Sequence, residues 1–185
     1  MKIDIINQPF PETVFRQAHA RSAGVHLSQV IRDLETTLYP DRFKNAAGWD
    51  LNAAAQAGVF FEVALEQAYA GMFGMDVGEV MLDGIVGTPD GISFDEDGAY
   101  VDEYKLTWRS SNKTPLDIFH YRMQGMGYCK MLGLDRVQYR VLYLNGDYRG
   151  SGPIYRVYMI QWDQWEIDEN WDAIVCHAKY RGWLP

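Results

Sequence analysis

The chain has 185 residues, 48% of them hydrophobic and 14% aromatic, which suits one folded domain and excludes a disordered tail. Its two cysteines, Cys129 and Cys176, exclude a disulfide framework and any four-cysteine cluster or zinc set. The net charge of −8 argues against a polyanionic partner, but residues 45–104 carry twelve Asp and Glu with no Lys or Arg, whereas residues 105–149 carry eight Lys and Arg against three Asp. An acidic region beside a basic strip suits divalent cations on one side and a polyanion on the other.

The N-terminal stretch MKIDIINQPFPE lacks the apolar core of a signal peptide, and no later run reaches the ~18 apolar residues that span a bilayer. A cytoplasmic protein without membrane contact is therefore expected. Glu12 to Ser22 reads as a short helix. Ser28 can cap a second, with Val30, Ile31, Leu34 and Leu38 as its apolar stripe. Residues 39–50 read as loop, and a longer helix runs from Asn52 to Ala70, ended by Gly71.

Two strands follow, Ile85 to Phe94 and Tyr100 to Thr107, joined by the turn Asp95-Glu96-Asp97-Gly98. Thr114, Pro115 and Asp117 mark the start of a helix that ends at Gly133. Arg136 to Leu144 and Ile154 to Trp162 read as strands around a Gly-rich loop. Asp163 and Glu166 form a capping box for a last helix to about Lys179. This order predicts an α/β fold, a mixed sheet covered by helices in one domain, with N-terminal helices over 1–50 leading into a core over 51–185.

If the first hairpin turns at Asp95 to Gly98, Phe94 faces Ala99 and Asp90 falls opposite Glu103. Side chains alternate along a strand, so Glu103 and Lys105 share a face, ~6.6 Å apart along it, and Asp90 points to the same face. Opposed carboxylates repel, and a fold tolerates them readily when a cation lies between. Pro89 cannot donate to a ladder, so a bulge is expected there.

"GTPDG", Gly87 to Gly91, followed by "DEYK", Asp102 to Lys105, resembles the signature of the PD-(D/E)XK nucleases, with Pro89-Asp90 as Pro-Asp and Glu103-Tyr104-Lys105 as Glu-x-Lys. "QGMGY" places Gln124 and Tyr128 on one helix face and resembles the Gln-x-x-x-Tyr motif of the RecB-like and phage (lambda-type) exonuclease branch. "GVFFEVALE", Gly58 to Glu66, resembles that branch's metal-binding helix, with Glu62 where other members carry His or Glu. Glu66, one turn on, is its alternative. The resemblance covers about residues 58 to 132 and implies a restriction-endonuclease-like core.

The resemblance implies a Mg2+- or Mn2+-dependent deoxyribonuclease in phage-type recombination or DNA processing. Glu62, Asp90, Glu103 and the Tyr104 carbonyl would hold the metal. Lys105 would position or activate water and stabilise the transition state, and Gln124 and Tyr128 would orient the substrate or the lysine. Arg109, Lys113, Arg122 and Lys130 are candidate phosphate contacts and Trp108 a candidate base-stacking residue. DNA is the implied partner, a single-strand-annealing protein and a homo-oligomer are further candidates, and a bacterial cell, phage-encoded or not, is the setting. Two alternatives stay open: an endonuclease or nickase on the same fold, and a non-catalytic DNA-binding or inhibitory protein. No Walker loop, His-Glu-x-x-His helix or nucleophile elbow competes.

Overall fold

Apolar residues at helical spacing form α1 (Leu27–Leu38), which buries Leu27, Val30 and Ile31 and follows directly on the two-residue strand β1 (Val25–His26). The computed structural model describes residues 22–42, 57, 58, 60, 61, 63–65, 77–150 and 152–185. The helix expected over Glu12 to Ser22 lies, apart from Ser22, outside them. Of the helix expected from Asn52 to Ala70, the described residues are helical, with Phe60 63% exposed. Glu62 and Glu66 lie outside the described residues.

The run read as one strand, Ile85 to Phe94, is two. β3 (Ile85–Gly87) pairs in parallel with β1 and antiparallel with β2 (Val80–Leu82), whereas β4 (Gly91–Asp95) belongs to a second sheet. The break falls at Thr88-Pro89-Asp90, where a residue without an N–H ends the pairing. The β2–β3 hairpin was not read from the sequence. Its signal was Asp83-Gly84 between two apolar runs, and Asp83 indeed takes a φ of 50°.

The second sheet has the order β4, β5 (Gly98–Thr107), β6 (Arg136–Tyr143) and β7 (Ile154–Gln161). β4 and β7 are antiparallel to their neighbours, while β5 and β6 are parallel. The first hairpin has the expected register, Phe94 opposite Ala99 and Gly91 opposite Asp102. Gly98, at φ 113°, closes its two-residue turn in a conformation that other residues rarely adopt.

The parallel step from β5 to β6 requires a crossover, supplied by α2 (Phe119–Leu132). The Thr114–Asp117 capping box forms as expected, but it caps a single 3-10 turn, Pro115–Asp117. Ile118 is extended, so α2 starts four residues later than its sequence signals suggest. Residues Met123 to Cys129 are all buried, since α2 packs on the sheet with α1 and α3 (Gln164–Tyr180) alongside it. A Cβ on Gly125 would fall 1.9 Å from Tyr139 Oη, so only glycine lets the helix approach β6 this closely. The core joins Val101, Val137, Tyr139, Val141 and Tyr143 of the sheet to Met123, Met126, Ile167, Trp171 and Ile174 of the helices. α3 has the expected Asp163–Glu166 capping box and meets α1 through Asp33, which pairs with His177 at 2.7 Å and Arg181 at 3.0 Å. Mixed strands flanked by helices make this the expected α/β architecture.

Candidate active site

β5 carries charge on both faces at adjacent positions. Glu103 and Lys105 point toward α2 and form an ion pair, and Asp102 points to the opposite face. Glu103 is fully buried, with Lys105 as its ion-pair partner among the described residues. Burial pushes its pKa up to about 8, the charge of Asp90 adds to this, and Lys105 opposes it. Burial works against the Lys105 ammonium, but the charges of Glu103 and Asp90 outweigh it and hold Lys105 protonated. The Lys105 side chain is 14% exposed and its Nζ lies 5.8 Å from the centre of the Tyr121 ring.

Asp90 sits just outside the ladder, in the segment that Pro89 frees from pairing. Its carboxylate reaches back to β5 and accepts the Tyr104 N–H at 2.6 Å, one residue from Glu103. The expected convergence of Asp90 with Glu103 is therefore present, made by a loop residue bonded to the strand backbone instead of a cross-strand pair.

Gln124 and Tyr128 meet on one face of α2, as their spacing predicts. Gln124 Nε2 donates to Tyr128 Oη at 2.9 Å, and Tyr128 Oη donates to the Thr88 carbonyl at 2.9 Å. Both side chains are buried, so the pair acts on the chain just before Asp90. Burial raises the Tyr128 hydroxyl pKa, with the Glu103 charge adding, which keeps it a neutral donor.

The basic strip is partly absorbed by the fold. Lys130 donates to Asp168 at 2.7 Å, Arg136 pairs with Asp95 at 2.8 Å and Arg140 with Asp102 at 3.5 Å. Arg109, Lys113 and Arg122 are exposed. The loop that carries Trp108, Arg109 and Lys113 is braced: Gly146 O accepts Ser111 N–H at 2.7 Å, Ser111 O accepts from Arg156 at 2.6 Å, and Lys113 O accepts from Tyr143 at 2.7 Å.

Sequence reasoning missed the carboxyl of Asp102. It is fully buried between Ser93 and Arg140. Its signal was the Asp-Glu pair inside a strand, since one of two adjacent charges must face away from the other. Among the described residues the donor set suits a hard divalent cation: two neighbouring carboxylates, one of them fully buried, beside the Lys105 ammonium. Among the described residues no group of three His, Cys, Asp or Glu side chains is gathered as a metal site.

No protein-family model matches the sequence, and no curated protein does. Among solved structures, the chain is similar to that of SSO0001 at a TM-score of 0.53 and 20% identity, over 86% of this chain and 79% of the other. This is a likeness of fold. The alkaline exonuclease LHK-Exo of Laribacter hongkongensis follows at a TM-score of 0.49 and 18% identity, over 85% and 89% of the two chains. A phage related exonuclease of Haemophilus somnus 129PT gives a TM-score of 0.48 and 16% identity, over 83% and 79%. Among the described residues no helix is long and apolar enough to cross a membrane.

Proposed function

We propose that this chain is a metal-dependent deoxyribonuclease of the PD-(D/E)XK kind, acting as an exonuclease in recombination or DNA processing. One observation carries the reading: Asp90, Glu103 and Lys105, scattered over the motifs Pro-Asp and Glu-x-Lys, meet at one place in the fold, with Gln124 and Tyr128 bonded to the segment that carries Asp90. Binding DNA alone does not call for carboxylates there, since they repel phosphate.

Asp90 and Glu103 would hold Mg2+ or Mn2+, with Glu62 and the Tyr104 carbonyl as the further candidate ligands. A cation bound there supplies a water of lowered pKa and neutralises charge at the scissile phosphate. Lys105, protonated and partly exposed on the same strand face, offers its ammonium to the charge that grows on the phosphate. Its two acidic neighbours favour this electrostatic role over that of general base. Gln124 and Tyr128 act through the Thr88 carbonyl on the placing of Asp90. Arg109, Lys113 and Arg122, all exposed, would take phosphates. The exonuclease side of the reading rests on the Gln-x-x-x-Tyr pattern and on the place of Glu62 in the sequence.

Linear and covalently closed circular DNA, each incubated with Mg2+, Mn2+ or EDTA, test it. Digestion of the linear form alone, abolished by EDTA, is expected. Nicked circles would replace the exonuclease by an endonuclease, and no cleavage with either metal would leave a DNA-binding role.

A further inference from the structure

Directly behind Glu103, on the other face of β5, the Asp102 carboxyl is fully buried and touches both neighbouring strands. Ser93 of β4 donates its hydroxyl to Asp102 Oδ2, and Arg140 of β6 sets its Nε 3.5 Å from Oδ1. Asp102 also stands opposite Gly91, the residue after Asp90 and the first of the β4 ladder. One side chain thus ties three strands together at the point where the chain leaves pairing to present Asp90.

Stability gives little reason for this arrangement. A buried ion pair is commonly no better than apolar residues of the same volume, whereas its best attested use is to fix register. Register matters here. The β4–β5 ladder is five residues long, from Gly91 to Asp95, and its outer positions Phe94 and Asp95 are exposed. Apolar packing therefore specifies it weakly, and a slip of one residue would turn every β4 side chain to the other face. It would also carry Asp90 away from the Tyr104 N–H.

We propose that Asp102, with Ser93 and Arg140, is a positioning device that locks β4 to β5 so that Asp90 stays beside Glu103. Its functional consequence rests on the nuclease reading above, but its structural consequence does not. The Tyr104 amide reports the position of the Asp90 carboxylate, because that carboxylate accepts its hydrogen bond at 2.6 Å.

The experiment compares the full-length chain with Asp102→Leu/Arg140→Leu, which replaces the pair by apolar volume, and with Ser93→Ala, which removes only the β4 arm. Amide hydrogen exchange is followed by NMR, Mn2+ affinity by calorimetry, and Tm by circular dichroism. The expected result is at least tenfold faster exchange at Tyr104, unchanged exchange for Val137 to Tyr139 on β6, about tenfold weaker Mn2+ binding, and Tm within a few degrees. Should the double variant fail to fold, Ser93→Ala is read alone, with the same pattern at smaller amplitude. Unchanged exchange at Tyr104 would overturn the proposal, as would equal acceleration along all of β5 and β6, which marks general loosening. If the unaltered chain binds no Mn2+ while Tyr104 still responds, the nuclease reading fails and the positioning role stands.

Discussion

Asp90 and Tyr104 are joined by a hydrogen bond from the backbone N–H of Tyr104 to the Asp90 carboxylate at 2.6 Å. It brings a loop carboxylate to the strand that carries Glu103 and Lys105. Asp90→Asn keeps an acceptor for that N–H but removes the charge. The expected outcome is a fall in DNA cleavage of at least ~10²-fold with a Tm close to that of the parent chain. Rates on linear duplex DNA and thermal melts check it.

Lys105 pairs with the buried Glu103 carboxylate, and Glu103 and Asp90 hold its ammonium protonated. Lys105→Met removes the ammonium that opposes the rise of the Glu103 pKa, so the variant is expected to lose stability increasingly as pH rises and the buried carboxyl must ionise beside Asp90. Glu103→Gln added to Lys105→Met is expected to restore most of the loss, because the uncompensated charge is gone. Neither variant should cleave DNA. Urea titrations of the two variants measure the difference.

The first hairpin was legible because its turn chemistry and alternation point the same way: Gly98 fixes the turn, and the register of Phe94 with Ala99 follows. The site was legible for the same reason, since strand periodicity alone puts Glu103 and Lys105 on one face. The split at Pro89 was only half legible. The missing N–H announces an interruption, but whether it bulges a strand or sends its halves into two sheets depends on β1 and β2, whose pairing is non-local. The role of Gln124 and Tyr128 was hidden likewise. Spacing shows that they meet, whereas their bond to the Thr88 carbonyl comes from tertiary packing. The count of basic residues does not show that Lys130, Arg136 and Arg140 pair with carboxylates distant in sequence.

Gly125 is where α2 approaches the sheet, and a methyl group there would meet the Tyr139 hydroxyl at 1.9 Å. That hydroxyl donates to the Tyr121 carbonyl at 2.7 Å, so it cannot yield without breaking this hydrogen bond. Gly125→Ala is expected to lose about 2–4 kcal/mol from overpacking and the lost bond, despite the better helix propensity of alanine. Gly125→Ala with Tyr139→Phe should recover part of it. Denaturant midpoints decide.

His120 sets a pH dependence of stability. Burial holds its pKa down to about 4, and the charges of Lys105 and Arg32 add to the effect. The unfolded chain takes up this proton near pH ~6.5, whereas the folded chain resists it down to about 4. Its contribution is therefore complete above the unfolded value and is lost as pH falls through this window, by on the order of 2 kcal/mol. His120→Gln should flatten the stability curve between these limits. Carboxylates held low, such as Asp168 beside Lys130, act at lower pH. Urea midpoints of both chains from pH 7 to 4.5 test the sign.

The most direct test of the central claim is cleavage of end-labelled linear duplex DNA by the chain and by Glu103→Gln, each purified identically and supplied with Mn2+ or with EDTA. The account expects digestion by the unaltered chain with Mn2+, none with EDTA, and at least ~10²-fold slower digestion by Glu103→Gln. Equal cleavage by the two chains, or cleavage that persists in EDTA, would contradict it.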